Sequence, residues 1–93
     1  MTYEWDPAKA AANVRKHGVS FAEVASVFLD PLALTFDDPD HSDEEHREIT
    51  IGVSSRERVI FVSHCVRGDR IRIISARKAT QRERKQYAER TGR

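Results

Sequence analysis

The sequence predicts an α+β domain in which an antiparallel β-meander is flanked by helices. Three observations carry this. Apolar spacing is helical up to about residue 30 and alternates from Leu32 onward. Helix-start signals recur at Asp6-Pro7, at Ser20 with Glu23, and at Thr80 with Glu83. The segments between them are short, which favours strands that pair in sequence order. A chain of 93 residues, 39% apolar and 33% charged, suits one small globular domain over 1–93 with a thin core, and excludes a two-domain enzyme.

Tyr3 and Trp5 open the chain as a short strand. Asp6 then caps a helix with proline at its first position, and the helix runs to about His17, where Gly18 supplies the left-handed stop. Ser20 and Glu23 form a capping box for a second helix, with Val19 stapled onto Val24. Val24, Val27 and Phe28 continue its apolar stripe until Asp30-Pro31 ends it. Leu32 to Phe36 reads as a strand, and residues 37–46 as an acidic loop too polar to pack. Ile49, Ile51 and Val53 alternate with Glu48, Thr50 and Gly52, so that strand has one buried face. Val59 to Val66 is apolar on both faces and suits a central strand. Gly68-Asp69 turns the chain into Arg70–Ala76, where isoleucine alternates with arginine. Thr80 with Glu83 is a further capping box, opening a last helix through about Arg90. That helix has only Tyr87 and Ala88 as apolar anchors. It must either be held at the edge by a partner or ligand, or fray.

No apolar run approaches the roughly 18 residues of a membrane span. The opening Met-Thr-Tyr-Glu-Trp-Asp lacks the features of a secretory signal. Cys65 is the single cysteine, so no internal disulfide forms, and a cytoplasmic setting is expected. The net charge of +1 conceals an asymmetry. Residues 1–46 carry three basic and ten acidic side chains, a net of −7; residues 47–93 carry thirteen and five, a net of +8. Eleven of those thirteen are arginine, whose planar fork grips phosphate at two points. The C-terminal half therefore reads as polyanion-facing, against the plainer reading of a solvated face.

Motifs narrow the chemistry. His41 and His46 lie near Asp38, Asp40 and Asp43, but the spacing matches neither a calcium loop nor a zinc quartet, and no metal is expected. Four scattered glycines make no nucleotide-phosphate loop. Cys65 is a core residue by pattern, and His64 beside it points to the other face of its strand. Lys16 and His17 end the first helix, where cations complement the dipole, although a histidine there can also move protons. The stretch Arg70-Ile-Arg-Ile-Ile-Ser-Ala-Arg77-Lys78 is the most informative. It presents guanidinium groups on one sheet face and hands over to a helix N-terminus that itself favours anions. Arg82, Arg84, Lys85 and Tyr87 follow within two turns, making a pocket for a phosphodiester with a base to stack.

The motifs Trp5-Asp6, Lys16-His17-Gly18-Val19-x-Phe21, Phe28-x-Asp30-Pro31, Arg47 with Gly52, and Arg72-Ile-Ile-Ser75-Ala-Arg77 leading to Glu83-Arg84-x-x-Tyr87 occur in order. Together they resemble the BrnT family, toxins of the RelE-like ribonuclease superfamily encoded beside a BrnA antitoxin. The resemblance runs from Trp5 to Tyr87. It implies a curved antiparallel sheet, RNA cleavage that inhibits translation, and neutralisation by a BrnA-type antitoxin with a ribbon-helix-helix part, operator DNA being bound only through that antitoxin. It also implies a cofactor-free, metal-independent reaction in which the 2′-hydroxyl attacks its own phosphate. Arg72 and Arg77 are then the charge stabilisers, and His17, Glu83 and Tyr87 the candidates for proton transfer or base stacking. Lys16, Lys78, Arg82, Arg84 and Lys85 would hold RNA. A non-catalytic binding module of a repressor complex and a structural subunit of an antitoxin assembly are the alternatives.

Overall fold

The computed structural model describes residues 2–40 and 46–92. His41 and Asp43 of the acidic loop lie outside them. The elements follow the predicted order: β1 (Thr2–Glu4), α1 (Pro7–His17), α2 (Phe21–Val27), β2 (Leu34–Asp37), β3 (Arg47–Val53), β4 (Val59–Arg67), β5 (Arg70–Lys78) and α3 (Gln81–Thr91). They build one five-stranded sheet in the order β1-β5-β4-β3-β2. β2 to β5 form the expected antiparallel meander, with β4 in the middle. The sheet as a whole is mixed, because β1 joins the free edge of β5 in parallel, pairing Tyr3 with Ile71 and Glu4 with Arg72. No local pattern announces a pairing between residues so far apart.

α1 starts where Asp6 accepts the Ala8 N–H at 2.8 Å and stops at Gly18, whose φ is 69° and whose N–H reaches the Val14 carbonyl at 2.9 Å. One polar side chain fixes α1 to the sheet. Buried Asn13 donates to the Val19 and Ala76 carbonyls, both at 2.9 Å, and accepts the Ala76 N–H at 3.1 Å. α2 departs from expectation at both ends. Ser20 accepts the Glu23 N–H at 3.1 Å, but Glu23 does not return the bond. Its carboxylate instead takes the Ser54 hydroxyl at 2.6 Å and the Arg58 guanidinium, a charged partner stronger than a backbone N–H. The helix also ends at Val27, because the N–H groups of Phe28, Leu29 and Asp30 each bond three residues back and tighten the chain into a turn. Asp30 then accepts the Leu32 N–H at 2.9 Å, so β2 begins at Leu34.

Two apolar layers flank the sheet. On one face Val19, Phe21, Val24 and Val27 pack on Ile60, Val62, Ile71 and Ile73. Burying side chains of this kind stabilises by about 1.5–3 kcal/mol each. On the same face His64 is buried edge-on to Phe28, with Nε2 2.7 Å from the Thr50 hydroxyl and Nδ1 without a hydrogen-bond partner. Burial lowers its pKa to about 4. On the other face Tyr87 of α3 sits on Ile49 and Ile51. Its hydroxyl donates to Asp30 Oδ2 at 2.5 Å, while the same atom accepts the Val53 N–H at 2.9 Å. α3 is therefore held by its own domain, through one aromatic anchor and polar ties that the periodicity of its apolar residues could not reveal.

β5 contains a break in its alternation. Ser63 pairs with Ser75 and His64 with Ile73, so Ile74 has no opposite number on β4. That extra residue lets Ile71, Ile73 and Ala76 all join the same buried layer despite their uneven spacing.

Candidate active site

Arg72 and Arg77 are five residues apart, an odd interval that would put them on opposite faces of a regular strand. The bulge at Ile74 brings both to the face opposite α1 and α2, with Ser75 between them. Cross-strand rows then define a cleft beside α3. Phe36, Ile49, Ser63 and Ser75 are consecutive partners across four strands and form its floor. One flanking row runs through Ile51, Phe61 and Arg77, the other through Arg47, Cys65 and Arg72. The cleft has a volume of about 510 Å³, within the usual range for small-ligand sites. Asp38, Pro39 and Asp40 close its β2 end.

Arg77 is held by two groups. Its guanidinium lies 4.1 Å from the Phe61 ring centre and makes a two-pronged bond to Glu83, Nη1 to Oε1 at 2.8 Å and Nη2 to Oε2 at 3.0 Å. Glu83 also completes the predicted capping box, accepting the Thr80 N–H at 2.8 Å while the Thr80 hydroxyl accepts the Glu83 N–H at 3.2 Å. Burial pushes the Glu83 carboxyl up, but the bonds from Arg77 and from the Thr80 backbone outweigh it and hold the group below the usual carboxylate range. Glu83 is thus an ionised acceptor at neutral pH. Arg72 is looser, 4.0 Å from Glu4 of β1, and about a third exposed.

The remaining expected residues are dispersed. Lys16 is exposed and His17 half-buried at the end of α1, on the far side of the sheet, and no hydrogen bond or ion pair joins either to the cleft arginines. Tyr87 is buried under α3 and bonded to Asp30, so its ring offers no open face for stacking. Lys78, Arg82 and Lys85 are exposed, and Arg84 spends one nitrogen on the Ala79 carbonyl at 2.8 Å. Asp38, expected in a loop too polar to pack, is buried, because its N–H bonds to the Arg47 carbonyl and its carboxylate accepts the Asp40 N–H, both at 3.0 Å. Asp37, His46 and Glu48 bring ligand atoms within 4.8 Å of one another at the β2–β3 pair, with Asp37 and His46 exposed. Phe36, Arg47, Phe61, Ser63 and Ser75 were not among the expected site residues. Their grouping depends on strand register, which the bulge disguises.

The sheet thus has one face buried under α1 and α2, while the other carries the cleft, with Arg47 in its lining and Arg72 and Arg77 on the same face. The family model of the ribonuclease toxin BrnT, of type II toxin-antitoxin systems, matches residues 5–83. The chain belongs to this family of ribonuclease toxins, and a type II system implies an antitoxin partner. The chain is also similar to the Brucella abortus ribonuclease toxin BrnT, known from a 1.1 Å crystal structure. The two share 28% identity and superpose with a TM-score of 0.65, over 87% of this chain and all of that one. No curated protein sequence matches the chain. No helix among the described residues is long and apolar enough to cross a membrane.

Proposed function

We propose that the chain is a metal-independent endoribonuclease whose cleft holds the scissile phosphate between Arg72 and Arg77. The observation that carries this reading is their emergence on one face on either side of Ser75, which lines a cleft with two serines on its floor. The 2′-hydroxyl attacks the adjacent phosphorus, the bond to the 5′-oxygen breaks, and the products are a 2′,3′-cyclic phosphate and a 5′-hydroxyl. Both guanidinium groups stabilise the charge that gathers on the phosphorane. Glu83 holds the Arg77 guanidinium in place. When a phosphate takes over those nitrogens, the released carboxylate accepts the 2′-proton and returns it, through water, to the leaving 5′-oxygen. Cleavage in the cytoplasm then blocks translation until a BrnA-type antitoxin with a ribbon-helix-helix part covers the basic half. Operator DNA is reached only through that partner.

Incubating the purified protein with end-labelled RNA in excess EDTA tests this reading. The expected result is discrete products with cyclic phosphate ends, reduced at least about 100-fold by Arg72→Ala or Arg77→Ala, as for loss of a charge-stabilising donor. A chelator-sensitive activity, or full activity in both variants, would overturn it.

A further inference from the structure

The two ends of the cleft differ in chemistry. The β5 end is lined by Ser75, with Arg72 and Arg77 on the neighbouring rows of the same face. Neighbouring strands lie about 4.8 Å apart, so the β2 end is about 14 Å away. There the lining changes to Phe36, Arg47 and a lip formed by Asp38 and Asp40. Phe36 is 46% exposed although it is a large aromatic, and it stands on the cleft floor. Asp40 is exposed, and its position is set by the turn in which the Asp38 carboxylate accepts its N–H. A nucleotide has the same division, with an anionic phosphate at one end and a flat base at the other.

We propose that the β2 end is a base-selecting subsite and that the base it takes is guanine. The proposal rests on the ribonuclease reading of the arginine end. Phe36 supplies the stacking face, which any base can use. Selection comes from the polar pair beside it. An ionised aspartate only accepts hydrogen bonds, and guanine alone places two adjacent donors, N1–H and the N2 amino group, on its Watson–Crick edge. Adenine and cytosine set a ring lone pair next to their single amino donor, and uracil sets carbonyls on both sides of N3–H; each turns an acceptor toward the carboxylate. Arg47 adds the complementary half, since a guanidinium matches the O6 and N7 acceptors on guanine's other edge. An aspartate and an arginine flanking one aromatic ring thus satisfy guanine on both edges and no other base on both.

Binding of the four nucleoside 3′-monophosphates, followed by amide chemical shifts, tests the subsite without requiring cleavage. Guanosine 3′-monophosphate should bind about tenfold more tightly than the other three and shift the Phe36 and Asp40 resonances. Asp40→Asn should reduce that preference to within about twofold, and Phe36→Ala should weaken all four nucleotides by roughly tenfold. Equal affinity for the four, no binding at the β2 end, or an Asp40→Asn variant with its preference intact would overturn the proposal. Mapping cuts on an RNA containing every dinucleotide separates the two readings. Cleavage indifferent to guanine would overturn the subsite and leave the ribonuclease standing. Selective guanosine 3′-monophosphate binding with no RNA cut would support the subsite and remove the ribonuclease.

Discussion

Lowering the pH from about 8 to about 4 should destabilise the fold through His64. In the folded chain its ring is buried against Phe28, one nitrogen is engaged with Thr50 and the other has no partner, so a second proton has nowhere to be accommodated. Its pKa falls from 6.5 to about 4, with burial as the cause. The unfolded chain takes up that proton near pH 6.5 and the folded chain only near pH 4. Stability is therefore full above about 6.5 and declines as the pH drops through the interval. Linkage puts the loss at about 2 kcal/mol by pH 5 and about 3 kcal/mol by pH 4. The carboxylates held low, Glu23 and Glu83, lose their contribution only as the pH falls below their ordinary value of 4.5, so the upper part of the window isolates the histidine. Urea unfolding at closely spaced pH values, on the wild type and on His64→Gln, measures the effect. Glutamine can still bond Thr50 but does not titrate. Equal pH slopes for the two proteins between about 5 and 6.5, or a His64 titrating near 6.5 by NMR, would refute the argument.

Two further perturbations test the packing. A Cβ on Gly52 would stand 2.9 Å from the Ala33 Cβ and 3.0 Å from a Val27 methyl, so Gly52→Ala should cost about 1–3 kcal/mol, read as a lower urea midpoint with an unchanged slope. Asn13→Ala leaves the Ala76 N–H without its acceptor at a buried site and should cost about 2–3 kcal/mol, with hydrogen exchange at Ala76 accelerating as α1 loosens.

The helix ends of α1 and α3 were legible because their signals are local. Asp6, Gly18, Thr80 and Glu83 each act within four residues of themselves. The same logic misled at Glu23, where the side chain had a choice between a neighbouring N–H and an arginine 35 residues away, and took the charge. In the site, the arginine-rich strand places Arg72 and Arg77 on one face, and Glu83 lies beside Arg77. The serines and phenylalanines opposite were invisible, because a row across four strands exists only once three registers are fixed. Tyr87 illustrates the reverse error. An aromatic among arginines suggests stacking, yet its ring is the one large apolar group α3 can bury, and the fold uses it for that.

The unpaired residue at Ile74 makes β5 a strand with a phase shift, read in one frame up to Ile73 and in the other from Ser75. Deleting Ile74 would remove that shift and little else: Ile73 and Ser75, already opposite the adjacent His64 and Ser63, become neighbours in a regular strand, Arg72, Ser75 and Arg77 keep the open face, and Ile71, Ile73 and Ala76 keep the buried one. What the strand cannot absorb is a change of count without a matching change of bulge, so homologues that differ freely in sequence here should hold either four residues between the two arginines with a bulge or three without one.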